Sequence, residues 1–131
     1  MRHPVHRGLA AFLAERNFVA EGRPDGAVVL LSDGRHRVFI HPAPQGEVAL
    51  EVQVVELATD ARRADEMLEQ ALAFAGDRLT QGRESIVLTP NERQLQLQWR
   101  VGADEDANAV ADAMEKFLNA LAAWRQEMGE P

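Results

Sequence analysis

The sequence contains no cysteine and no tyrosine, and only 5% of its 131 residues are aromatic. Without thiols it has neither disulfides nor thiolate metal sites, and nothing points to an oxidising compartment. Basic residues are in deficit, 14 against 21 acidic, and the net charge of -7 disfavours a polyanionic partner. Neither a basic stripe nor interleaved aromatics mark a nucleic-acid site. No apolar run reaches the length needed to span a bilayer. The opening stretch MRHPVHRGLAAFLAERNF carries charges throughout and lacks the uninterrupted apolar centre of a signal peptide. These absences predict a cytoplasmic protein with no nucleic-acid or membrane partner. The length suits a single domain over residues 1–131, large enough for a core without staples.

Catalytic chemistry is also missing. His3 and His6 lie close to a terminus expected to fray. His36 and His41, five apart on one strand, point to opposite faces and cannot grip a metal together. All four read as surface histidines without a role. The carboxylates of Asp65, Glu66 and Glu69, and of Asp104, Glu105 and Asp106, fit solvated helix faces and caps. Ser32 and Ser85 fall in strands with no nucleophile-elbow context, and the glycines follow no phosphate-cradling spacing. The sequence therefore predicts no catalytic residue, no cofactor and no metal: this is not an enzyme. Trp99 and Trp124 each belong to an apolar stripe, which favours core packing over ligand stacking.

What is present is regular patterning. EVALEVQVVEL (Glu47–Leu57) alternates Val48, Leu50, Val52 and Val54 with Ala49, Glu51 and Gln53, the period of a half-buried strand. At Val54-Val55 the alternation breaks, which predicts that Val55 and Leu57 turn to the opposite face. Before this central strand, Val5, Leu9, Phe12 and Leu13 recur at helical spacing over Pro4–Arg16, with Gly8 a mild weakness. Phe18 and Val19 lead into the turn-rich link EGRPDG. AVVLLS (Ala27–Ser32), the turn Asp33-Gly34 and RHRVFIH (Arg35–His41) form a hairpin, ended by Pro42 and Pro44.

Beyond the central strand, Thr59 or Asp60 caps a helix over Ala61–Leu79. Ala64, Leu68, Ala71, Leu72, Ala75 and Leu79 form its stripe, and Met67 and Phe74 widen it. An arc that wide exceeds one sheet contact and fits either deeper burial or a subunit interface. SIVLT (Ser85–Thr89) and QLQLQWRV (Gln94–Val101) form a second hairpin. Asp104 is the expected cap of a last helix with the stripe Val110, Met114, Phe117, Leu118, Leu121 and Trp124. The order α-β-β-β-α-β-β-α describes an α+β domain, an antiparallel twisted sheet packed with three helices. Strands Ala27–Ser32 and Ser85–Thr89 are apolar on both faces. That surplus marks a partner site unless the second helix covers it within the subunit.

LAAFLAERNF, DGAVVLLSDGRHRVFIHP, EVALEVQVVEL with MLEQALAFAGD, and QLQLQWRV followed by FLNALAAWRQEM run in an order that resembles the class I type III secretion chaperones. Two stretches depart from the pattern: ERNFVAEG replaces the Leu-Gly-Leu-type end of the first helix, and Arg35 and Arg37 stand where acidic residues are common. The resemblance implies a homodimer formed through the second helix and an adjoining strand, with Met67, Ala71, Phe74, Ser85 and Val87 at the interface. It also implies a client, the N-terminal chaperone-binding segment of a secreted effector, held extended on apolar patches. The candidate client-binding residues are Leu9, Phe12, Val29, Leu31 and Phe39. The rival expectation is a structural or regulatory binding subunit of the same fold, unrelated to secretion.

Overall fold

The computed structural model describes residues 6–16, 20–22, 28–32, 36–80 and 82–129. The expected Asp33-Gly34 turn, the RPDG stretch of the first link, the helix start at Pro4 and the stop at Pro131 lie outside these residues. In chain order the elements are α1 (Arg7–Arg16), β1 (Ala20–Gly22), β2 (Val28–Ser32), β3 (His36–Pro42), β4 (Val48–Glu56), α2 (Ala61–Arg78), β5 (Ser85–Leu88), β6 (Gln94–Val101) and α3 (Ala107–Glu127). A single 3-10 turn, Pro44–Gly46, links β3 to β4. The six strands form one antiparallel sheet in the order β1-β2-β3-β4-β6-β5. The α+β class, the three helices and the central place of Glu47–Leu57 are as the sequence predicts.

One strand was not expected. Ala20–Gly22, within the segment read as a link, pairs with β2 as Ala20↔Leu30, Glu21↔Val29 and Gly22↔Val28. Ala, Glu and Gly are poor strand formers, so nothing local announces β1; the free edge of β2 recruits it.

The core lies between one face of the sheet and the helices. Val38 and Ile40 of β3, Leu50 and Val52 of β4, and Leu97 and Val101 of β6 are buried on that face. Opposite them α3 buries Val110, Ala113, Met114, Phe117, Ala120, Leu121 and Trp124, a stripe at three- and four-residue spacing. Trp99 and Trp124 are both core residues, 5% and 1% exposed. The cap of α3 is Asp106, whose side chain accepts from Ala109 N at 2.9 Å, not Asp104 two residues earlier.

The break at Val54-Val55 is a β-bulge. Gln53 pairs with Gln96 and Val55 with Leu95, leaving Val54 unmatched. Val54 and Val55 are both buried, as is Leu57. The expected turn of Val55 and Leu57 to the opposite face is therefore corrected: the extra residue resets the alternation and returns them to the core side.

Candidate interaction surfaces

Helix α2 is capped by Asp60, whose side chain accepts from Arg63 N at 3.1 Å. Of its 18 residues only Ala71 is buried. Met67, Leu68, Phe74 and Ala75 are half-buried against the core. Leu72 and Leu79 are 72% and 79% exposed, the two large apolar side chains most open to solvent among the described residues. Seven apart, they share one face, and Leu68 and Ala75 complete that row at spacings of four and three. The wide apolar arc thus divides in two. The Met67-Ala71-Phe74 side turns inward within the chain, and the Leu72-Leu79 side stays open.

The inward side is fixed by a buried polar cluster at the end of α2. The Phe74 ring meets Trp124 of α3 edge-on, centroids 4.8 Å apart and planes at 84°. The Arg78 guanidinium lies 5.8 Å from the Phe74 ring centre and pairs with Glu84, just before β5. Trp124 Nε1 donates to Glu84 Oε2 at 3.2 Å. The Glu84 side chain is 2% exposed, and its Oε1 has no hydrogen-bond partner among the described residues. Burial pushes this carboxyl's pKa up. Hydrogen bonds from Arg78, from its own backbone and from Trp124, with the charge of Arg78, outweigh burial and hold it below the ordinary glutamate range. Gly82 makes room: a Cβ there would collide with Glu84 Oε1.

β5 packs beside α2 and ends the sheet. Ile86 and Leu88 lie opposite the buried Leu97 and Leu95. Ser85 and Val87 fall on the other face, opposite Gln98 and Gln96; Ser85 is exposed and Val87 half-buried. Of the expected interface residues, then, Ala71 is interior, Met67 and Phe74 are half-buried on the inward side, away from the open stripe, and Ser85 and Val87 stand on the neighbouring edge strand.

The expected client-binding residues divide between two layers. Leu9 and Phe12 are 7% and 4% exposed, because α1 spends its narrow stripe on α3 and the core. They are not an open patch in this chain. Phe39 is half-buried on the outer sheet face, with the Arg37 guanidinium 5.9 Å from its ring centre and His41 stacked at 6.3 Å. In the ladder Val29 stands opposite Phe39 and Leu31 opposite Arg37; the side chains of Val29 and Leu31 lie outside the described residues. Polar contacts continue across that face: His41 to Glu51 at 3.7 Å, Gln98 to Glu51 at 2.6 Å, and Arg100 to Glu47 at 3.1 Å.

His6 is buried, contrary to the expectation of a fraying surface residue. Its Nδ1 accepts from Leu9 N at 3.0 Å, so Nε2 carries the proton and donates to the carbonyl of Gly102 at 2.6 Å. The ring caps α1 and fastens it to the turn before α3. Gly8 lets the two approach, since a Cβ there would run into the Glu105 carbonyl. Short range in sequence hides this, as the partner is 96 residues away. Among the described residues no group of three His, Asp or Glu side chains converges as a metal site, and no helix is long and apolar enough to cross a membrane.

No family model matches the chain, and no curated protein matches it. Solved structures do. A chain in the structure of the HopA1–SchA chaperone–effector complex aligns with a TM-score of 0.67 at 13% identity, covering 91% of this chain and 91% of that one. A chain in the crystal structure of the Yersinia pestis type III secretion chaperone SycH, in complex with a stable fragment of YscM2, aligns at 0.59 and 13%, covering 88% and 95%. A chain in the ExsC–ExsE complex aligns at 0.66 and 16%, covering 90% and 88%. The chain has the fold of the class I type III secretion chaperones.

Proposed function

We propose that this protein is a cytoplasmic, non-enzymatic chaperone of a bacterial type III secretion system. In this reading the whole chain acts as one domain, pairs with a second copy, and holds an N-terminal segment of a secreted effector extended and competent for export. The observation that carries the reading is the likeness, over about nine-tenths of the chain, to structures described as a chaperone–effector complex and as a secretion chaperone bound to a partner fragment.

The pairing surface we assign is the open stripe of α2, with Leu72 and Leu79 at its centre, Leu68 and Ala75 in the same row, and Ser85 and Val87 of β5 at the edge, while Met67, Ala71 and Phe74 serve the chain's own core. Removing a leucine from water is worth about 1.5–3 kcal/mol, and two-fold symmetry uses each residue twice. For the client, the uncovered outer face around Phe39, with Val29 and Leu31 on the adjoining strand, is the remaining candidate of those read from the sequence. Leu9 and Phe12 would serve only if α1 moved from α3. An unfolded client loses conformational entropy on binding, so a long contact must compensate.

The test is co-purification from the native host, then limited proteolysis of the complex with mass mapping. A protected client fragment of some tens of residues near the client's N-terminus is the expected result. Protection of a whole folded domain would instead identify a structural or regulatory subunit of the same fold. Absence of any bound protein would overturn the chaperone reading.

A further inference from the structure

His6 does for α1 what Asp60 and Asp106 do for the other two helices, with a side chain that can change charge near neutral pH. Its carbonyl accepts from Ala10 N at 3.0 Å and its Nδ1 from Leu9 N at 3.0 Å, the two bonds of a helix N-cap. Only an unprotonated Nδ1 can accept. The other ring nitrogen, Nε2, donates to Gly102 O at 2.6 Å, so the buried ring has both nitrogens committed in its neutral form.

An imidazolium does not fit this place. Its Nδ1–H would face the Leu9 N–H and leave that buried donor without an acceptor. Its charge would stand at a helix N-terminus, beside Arg7 and with no acidic residue in the first turn. Burial opposes the charge as well. On the facing turn before α3 the charged groups are Asp104, Glu105 and Asp106, and beyond Gly102 lies the Arg100–Glu47 pair. The Glu105 carboxylate is taken up by Gly102 N and that of Asp106 by Ala109 N, while Asp104 is exposed. Their attraction, and a stronger bond to the Gly102 carbonyl, favour the charged ring, but neither supplies an acceptor for Leu9 N.

Little else holds α1. Its 10 residues fall short of the roughly 12–15 that an isolated helix needs. Leu9 and Phe12 are its buried apolar side chains, with Leu13 half-buried. A hollow of about 350 Å³ runs along Arg7, Gly8 and Ala11 and the turn 103–107, so the seam between them is open on one side. We propose that His6 is a proton-operated latch: neutral, it holds α1 closed on α3, and protonated, it releases α1 and bares Leu9 and Phe12. The closed form binds one proton fewer than the open form, so falling pH favours opening. Leu9 and Phe12, which the closed chain buries, then become a surface for an apolar segment of a partner protein. That last step rests on the reading of the protein as a chaperone; the latch itself does not.

Amide exchange of the full chain, free of any client, tests the latch, with protection factors removing the intrinsic effect of pH on exchange. A histidine free in water takes its proton at about pH 6.5. With the closed ring staying neutral, opening should therefore increase about tenfold between about pH 7.5 and 5.5. The protection of Leu9 and Ala10 should fall by about that factor, while Phe117 in α3 keeps its protection. His6→Asn, whose side-chain oxygen caps Leu9 N without titrating, should show no such fall. Unchanged protection of Leu9 in the wild type would overturn the latch. So would an equal fall in His6→Asn, or a parallel fall at Phe117, which reports acid unfolding of the whole chain. Should His6→Asn not fold, the wild-type comparison of Leu9 with Phe117 decides. Because no client is present, none of these results bears on co-purification, and a failure to find a client leaves the latch standing.

Discussion

The indole of Trp124 donates to Glu84 Oε2 at 3.2 Å and so ties the C-terminal helix to the residue just ahead of β5. The same carboxylate takes the Arg78 guanidinium at the end of α2, making one buried group the junction of three segments. A carboxylate 2% exposed stays charged only because these donors surround it.

Stability should therefore depend on Glu84 ionisation. Its folded-state pKa is lowered, so its contribution is complete above the ordinary glutamate value and is lost as pH falls through the folded value. Glu84→Gln should cost about 3 kcal/mol at neutral pH, the low end for breaking a buried pair. Urea midpoints should show wild type losing stability below about pH 4.3, with the variant's curve flatter over that range.

Gly8→Ala should destabilise the protein although alanine is the better helix former by about 1 kcal/mol. The added Cβ meets a backbone carbonyl, that of Glu105, which cannot swing aside as a side chain would. A net loss of about 1–3 kcal/mol is expected, as for overpacking. Denaturant unfolding measures it; an unchanged or raised midpoint would show that α1 does not sit against the turn before α3.

The two sides of α2 should respond in opposite ways to an introduced charge. Leu72→Asp should leave the fold intact, its midpoint within about 0.5 kcal/mol of wild type in conditions where both are monomeric, and should abolish pairing in light scattering. Phe74→Asp should unfold the chain, because its ring lies against Trp124. A Leu72→Asp protein that still pairs would place the interface elsewhere.

Replacing His6 removes a helix cap and a 2.6 Å tie to Gly102. His6→Ala should cost about 1–2 kcal/mol and expose α1 to protease ahead of global unfolding. Cleavage confined to α1, mapped by mass, is the expected pattern. Equal resistance in variant and wild type would count against the tie.

Much of this fold is written locally. The alternation of QLQLQWRV and the stripe from Val110 to Trp124 specify their elements and inward faces, because period and face are properties of neighbouring residues. Other features depend on what is distant in sequence. The sequence shows that α2 has too many apolar positions for one contact; only Trp124, fifty residues after Phe74, decides which arc is inside. The burial of His6 depends on Gly102, and that of Leu9 and Phe12 on α3, so the burial of this first stretch could not be read from its own residues. β1 exists only because β2 has a free edge. The Glu84 cluster needs three segments to meet, and a lone glutamate between Arg83 and Ser85 gives no sign of it.

The unmatched Val54 changes the frame in which the sheet is read. Up to Val52 the even-numbered residues of β4 face the core; from Val55 onward the odd-numbered ones do, ending in Leu57. One residue of chain length is thus absorbed without altering what either face presents. A protein lacking Val54 would run straight, one residue shorter, with Val55 and Leu57 still inside and Glu56 still outside. A deletion at Glu51 is not so mild: taken up at the bulge, it would keep both ends of the strand in register but turn Val52 and Val54 outward and Gln53 inward. Along this strand, the tolerance for lost residues is gathered at one position.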